Sequence, residues 1–232
     1  MLPDRLHPTT SPRARLRRIN GRVGLGLVAA LSFLAGMTDA VGFLATGDFV
    51  SFMSGNTTRL AVAVSVGDAT ALARLALAIV CFVVGNALGV MLARSLRRRA
   101  APLLLLITAM LAIAALPGMW TALALALAII AMGMLNAVVE QVNGLPIGLT
   151  YVTGALSRFG RGLGRWLMGE RRSGWRVQLV PWAGMLLGAV LGAWLQARLG
   201  IAALAGCAGL TLVLACVTLF IPRAWQRGYM PR

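Results

Sequence analysis

Six stretches of this sequence, residues 23–45, 71–93, 101–117, 119–140, 178–198 and 201–221, are apolar over roughly the 20 residues that an α-helix needs to cross a bilayer. That pattern leaves few folds open. Lipid offers no partner to a backbone N–H or C=O, so a segment buried in it must bond its own backbone, as a helix does. The composition agrees: 59% of the chain is apolar and 12% is charged, against about half and about a quarter in a soluble domain. The sequence therefore specifies an all-α integral membrane protein. Its first apolar run is too long for the core of a signal peptide and has no small-residue cleavage site after it, so it reads as a retained helix.

All 22 basic residues are arginines, and with six acids the formal charge is +16. On a soluble domain such a charge would point to nucleic acid. Here the arginines cluster between apolar runs, where the cytoplasmic loops of membrane proteins carry them, so no nucleic-acid partner is expected. Two further segments are mixed, and whether they cross decides the topology. One, 50–66, holds Ser51, Ser54, Asn56, Thr57, Thr58 and Arg59. The other, 147–167, holds Thr150, Thr153, Ser157, Arg158, Arg161 and Arg165. If neither crosses and the N-terminus is cytoplasmic, 19 of the 22 arginines lie inside, leaving Arg59, Arg74 and Arg198 on the far side. If both cross, as eight helices in a 4+4 plan, Arg94, Arg97, Arg98 and Arg99 move outside. Six spans with both termini cytoplasmic satisfy the bias better.

The two halves resemble each other. Gly36-Met37-Thr38-Asp39-Ala40 matches Gly133-Met134-Leu135-Asn136-Ala137, an offset of 97 from Gly36 to Gly133. Phe52 to Arg59 matches Tyr151 to Arg158 at an offset of 99, and Gly85 and Gly89 match Gly188 and Gly192 at 103. Three spans per half is an odd number, so the second half must enter the membrane upside down, a recurring plan of secondary transporters. The expected organisation is a basic, disordered cytoplasmic tail over 1–22, a first repeat over 23–117, a second over 118–222 and a cytoplasmic tail over 223–232. Segments 50–66 and 147–167 would be re-entrant or interfacial helices.

At Ala35 to Ala40, Phe49 to Thr58, Gly133 to Ala137 and Thr150-Tyr151-Val152-Thr153-Gly154, the chain resembles the YoaK-like family of bacterial membrane proteins, the domain of unknown function twelve seventy-five. The resemblance implies an integral membrane protein and no more; the location expected for the chain is the cytoplasmic (inner) membrane of a bacterium. The chain departs from the family at Glu140 and Gln141, where the family implies basic residues.

Asp39 is the most informative side chain, because a carboxylate inside a span costs several kcal/mol, about 2.5 to 3.5 at the helix centre. It reads either as a cation- or proton-binding carboxylate facing a cavity, or as a carboxylate bonded to Thr38 or a neighbouring backbone. Asn136 is its repeat partner, and a buried Asn more often joins helices than binds a ligand. Glu140 lies one turn on, pairing with Arg158 or Arg161 if it is merely interfacial. A pathway between the halves would be lined by Asp39, Ser54, Asn56, Thr57, Asn136, Glu140 and Thr153. Arg158, Arg161 and Arg165 form one face of an amphipathic helix opposite Leu156, Phe159, Leu163 and Trp166, which suits a membrane surface. Gly85, Gly89, Gly184, Gly188 and Gly192 recur at four-residue spacing, a signal for close helix packing.

Cys81, Cys207 and Cys216 lie in apolar runs without metal-ligand spacing, and the single histidine, His7, is in the tail. With no nucleophile near a histidine and no phosphate loop, neither a metal, a cofactor nor an enzyme is expected. The leading expectation is a small transporter or channel; the rival is a membrane scaffold, partner subunit or sensor. Expected partners are the lipid bilayer and a small solute, proton or cation, with homo-oligomerisation left open.

Overall fold

A computed structural model describes residues 12–142, 145–146, 152–171 and 174–231. The regular structure of the described chain is helical apart from one pair of two-residue strands. Its helices are α1 (Pro12–Thr46), α2 (Met53–Val66), α3 (Ala69–Ser95), α4 (Ala100–Ala114), α5 (Thr121–Leu135), α6 (Val152–Leu167), α7 (Leu179–Leu199), α8 (Leu204–Leu219) and α9 (Arg223–Tyr229). Gln141–Val142 (β1) and Leu145–Pro146 (β2) pair antiparallel between α5 and α6. By length and composition, Ile19–Thr46, Ala69–Ser95 and Trp175–Leu219 are apolar enough to cross a membrane, the last containing both α7 and α8. The 15-residue α4 and α5 extend about 22 Å at 1.5 Å per residue, short of a full hydrocarbon core.

Each mixed segment becomes a short helix beside a long one. At the end of α2, Gly67 takes a left-handed backbone (φ 73°), and its amide returns to Ala63 and Val64. Asp68 then caps α3 by accepting from the Ala71 amide at 2.9 Å. A glycine that stops one helix and an aspartate that starts the next make a two-residue turn, so α2 folds back along α3.

Lipid tails are as apolar as leucine, so close backbone approach holds such a bundle together better than apolar burial does. The glycines supply it. A Cβ on Gly184 would stand 2.6 Å from the Ala29 carbonyl oxygen, and one on Gly188 or Gly192 would overlap the backbone of Phe33 or Met37. This crossing of α1 and α7 is parallel, since both series ascend together. Gly85 and Gly89 meet Ile130 and Met134 in the same way, making α3 and α5 a second parallel pair. The two crossings correspond residue by residue: Phe33 and Met37 to Ile130 and Met134 at offset 97, Gly188 and Gly192 to Gly85 and Gly89 at offset 103. The reverse contacts correspond too, Gly36 on Met185 and Gly133 on Phe82.

The end of α1 and the start of α5 share one crevice through Thr46 and Thr121, so these two helices run in opposite directions. At the other end of the bundle, Gln226 accepts from the Ala100 amide (3.0 Å) and donates to the Thr218 and Ile221 carbonyls (2.8 Å each). Tyr229 donates to the Asn20 carbonyl at 2.7 Å, and the Glu140 amide donates to the Tyr229 carbonyl at 2.8 Å. The starts of α1 and α4, the end of the α5 segment and α9 therefore gather at one end.

Three boundaries differ from the sequence reading. Helix α1 begins at Pro12, a residue suited to a first helical turn, so 12–22 extend the helix; residues 1–11, with His7, lie outside the described part. Helix α5 stops at Leu135, short of the expected 140, because Asn136 to Val138 bond back to Gly133, Met134 and Leu135 as turns. The expected tail from 223 instead docks as α9 (Arg223–Tyr229), with Tyr229 and the following Met230 buried. Leu31, Leu34, Leu104, Ile107, Leu111, Ile129, Met132, Leu135 and Leu204, from α1, α4, α5 and α8, fill the interior.

Candidate functional site

After α1 the chain reverses at Gly47 (φ 81°) and runs back beside the helix it has just left. Residues 48–52 are neither helix nor strand, so their backbone groups need other partners. Asp39 supplies partners for three of the amides. Its Oδ1 accepts from the amides of Val50 (2.8 Å), Ser51 (2.6 Å) and Phe52 (3.4 Å), and its Oδ2 from the Ser51 hydroxyl (2.6 Å). Asn56, wholly buried on α2, closes the loop from the other side. Its Oδ1 accepts from the Phe49 amide at 3.0 Å, and its Nδ2 donates to the Phe49 carbonyl at 2.7 Å. A Cβ at Gly55 would lie 2.6 Å from the Phe52 ring, which itself meets Phe49 edge to face at 5.2 Å. The Ser54-Gly55-Asn56 motif thus clasps the loop over 48–52.

Of the seven residues expected along a pathway, only Asp39 and Thr153 come together. Both border a groove of about 650 Å³ between α1, α6 and α7, walled by Phe43, Phe49, Phe52, Trp182 and Met185. Ser54 and Thr57 are exposed on α2, and Thr57 spends its hydroxyl on the Met53 carbonyl at 2.8 Å. Asn136 donates to Asn86 at 3.2 Å, joining α5 to α3. Glu140 is exposed at the end that holds α9 and is not paired as expected: Arg158 donates to Gln178 (2.8 Å) and Arg161 to Ser157 (2.9 Å). The expectation that Asp39 opens onto a hydrated cavity also needs correction. The residue is 3% exposed, and its carboxylate is turned into the 50–52 loop.

On α6, Arg158, Arg161 and Arg165 are exposed, while Phe159 and Trp166 lie against Trp175 with ring centroids 5.1 and 6.5 Å apart. A helix with one arginine face and one aromatic face is amphipathic, as the sequence implied. Among the described residues no group of three His, Cys, Asp or Glu side chains could hold a metal, and the three cysteines are free.

A charged cluster escaped the sequence reading. Asp48, in the 48–52 loop and wholly buried, lies 3.2 Å from Arg59 Nη2 and 2.5 Å from Arg74 Nε. Neither contact has hydrogen-bond geometry, so Coulomb attraction holds the three groups. The signal was present: Arg59 and Arg74 are two of the three arginines left on the minority side. The third, Arg198, stacks over Trp194 at 4.9 Å. Arg74 also borders a second crevice, of about 410 Å³, between α1, α3 and α5.

A family model described as "Protein of unknown function (DUF1275)" matches residues 27–217. A UPF0700 transmembrane protein of Rhizobium meliloti (strain 1021) is 53% identical over 218 residues, covering 94% of this chain and 96% of that protein. No solved structure matches.

Proposed function

The chain belongs to the DUF1275 family of transmembrane proteins, and we propose that it is a small non-enzymatic transporter or channel for a polar solute or ion, built as a 3+3 inverted repeat of six spans. The observation that carries this reading is the duplicated glycine crossing, at the same offsets in both halves, between helices whose repeat partners run in opposite directions. Inverted halves give two states of similar energy by exchanging their conformations, which is what alternating access requires. The crossings lock α1 to α7 and α3 to α5. The bodies that rock are therefore these pairs, each drawn from both halves, and the groove bordered by Asp39 and Thr153 is where one body can part from α6. The arginine bias supports an orientation in which the end holding Asn20, Ala100 and Tyr229 faces the cytoplasm from a bacterial inner membrane, with the α6 arginines meeting headgroups.

Asp39 would couple flux to a proton or cation by releasing the loop. Neutralising the carboxylate weakens charge-assisted bonds to three amides and the Ser51 hydroxyl, so residues 50–52 are the part set free. The test is flux in proteoliposomes across a panel of small solutes and ions at several pH values, with Asp39→Asn as the variant. The substitution nearly preserves shape and removes the charge. It should leave a folded protein whose flux has lost its pH dependence; a variant with the wild-type pH profile would take Asp39 out of the mechanism. A second reading, a scaffold or sensor, is favoured by the apolar interior and by the internal bonding of Asn56 and Asn136. Absence of flux for every solute in the panel, from correctly folded protein, would favour it.

A further inference from the structure

Membrane proteins place few arginines on the far side, and those that remain there need a reason. Arg59 and Arg74 share one acid. Asp48 is wholly buried between them, so two guanidinium charges face one carboxylate and the cluster carries one positive charge in excess. The other acid of this region, Asp68, caps α3 and is exposed. The excess charge has a definite position. Arg74, with its side chain 42% exposed, is the charged residue bordering the 410 Å³ crevice; Thr121 adds a hydroxyl, that of Thr46 being spent on the Gly42 carbonyl, and Leu77, Leu125 and Ile129 make apolar walls. Its closest approach to Asp48 is through Nε, the inner nitrogen, without hydrogen-bond geometry. The terminal nitrogens are the fork that takes a carboxylate or phosphate two-pronged.

We propose that this crevice binds a small anion carrying an apolar body, with Arg74 gripping the anionic group while Arg59 keeps Asp48 neutralised. A pocket of this volume is within the range of small-molecule sites, which combine mostly apolar walls with a few placed polar groups. Asp48 then acts as a competitor for Arg74, and Arg59 as a positioning residue that relieves the competition. The ligand's role as a substrate rests on the transport reading above; its binding does not.

The probe is radiolabelled phenylacetate, titrated onto the full-length protein in phosphatidylcholine nanodiscs, with phenylacetamide as the neutral competitor. Saturable binding is expected that phenylacetamide does not displace. Arg74→Gln should weaken it about tenfold or more, the worth of a charge-assisted bond. Arg59→Gln should also weaken it, by returning Arg74 wholly to Asp48, although Arg59 does not border the crevice. Asp48→Asn should tighten it. In phosphatidylglycerol nanodiscs, weaker phenylacetate binding combined with lipid retention that depends on Arg74 would support the same chemistry and assign the anion to a lipid headgroup. The proposal is overturned by phenylacetate binding that Arg74→Gln leaves unchanged, by equal displacement with phenylacetamide, or by no binding together with lipid retention that ignores Arg74. Binding without any flux would remove transport and leave the site; flux with unaltered kinetics in Arg74→Gln would do the reverse.

Discussion

Asn56 shows how much one amide can hold. It answers both backbone groups of Phe49, a donor and an acceptor that no helix or strand would otherwise satisfy. Asn56→Ala should destabilise the protein by about 2–6 kcal/mol, since each of the two buried backbone groups left unpaired costs about 1–3 kcal/mol. Thr57→Ala, one residue on and exposed, should change little. Denaturant-induced unfolding in micelles measures both, and equal losses would show that the clasp is not what Asn56 contributes. The sequence marked Ser54, Asn56 and Thr57 alike, because all three are polar where apolar spans have no use for them. Which one turns inward depends on the chain reversal at Gly47, and nothing in residue type reports that. Asp39 was legible as costly. Its partners were not, because they are backbone amides eleven to thirteen residues away.

At the scale of elements, the helices were legible because apolar length and glycine spacing are direct consequences of lipid as solvent. All six expected spans and both mixed segments have a helical counterpart. The ends were less legible: α1 reaches back to Pro12 and α9 docks, because helix-forming residues and tertiary contacts extend structure beyond the apolar runs. The contacts, not the spacing, separate packing glycines from idle ones: Gly160 and Gly164 also stand four residues apart and meet nothing within 4 Å. Gly188→Ala and Gly85→Ala should each destabilise the fold by about 1–3 kcal/mol or more, because the new methyl meets backbone that cannot swing aside. Gly209→Ala, with nothing within 4 Å of its Cβ, should be neutral or slightly stabilising, as alanine is the better helix former. Thermal unfolding of the three variants side by side checks the ranking. Gly209→Ala as harmful as the other two would mean that helix flexibility, not close approach, is what the glycines supply.

For the whole molecule, the arginine count and the internal repeat were read from different residues and lead to the same six-span plan. The contacts supply what neither could: the pairing of α1 with α7 and of α3 with α5, which entwines the halves. The claim most exposed to test is that these halves are inverted. Val66 ends α2 and Met168 follows α6; they occupy corresponding places at an offset of 102 and are 72% and 75% exposed. An inverted repeat puts such a pair on opposite sides of the membrane, whereas a parallel repeat puts both on one side. The measurement is labelling of Val66→Cys and Met168→Cys, each in a background lacking Cys81, Cys207 and Cys216, with an impermeant maleimide on intact cells. Residue 66 should label from outside and residue 168 only after permeabilisation; labelling of both from outside, or of neither, would contradict the inverted architecture.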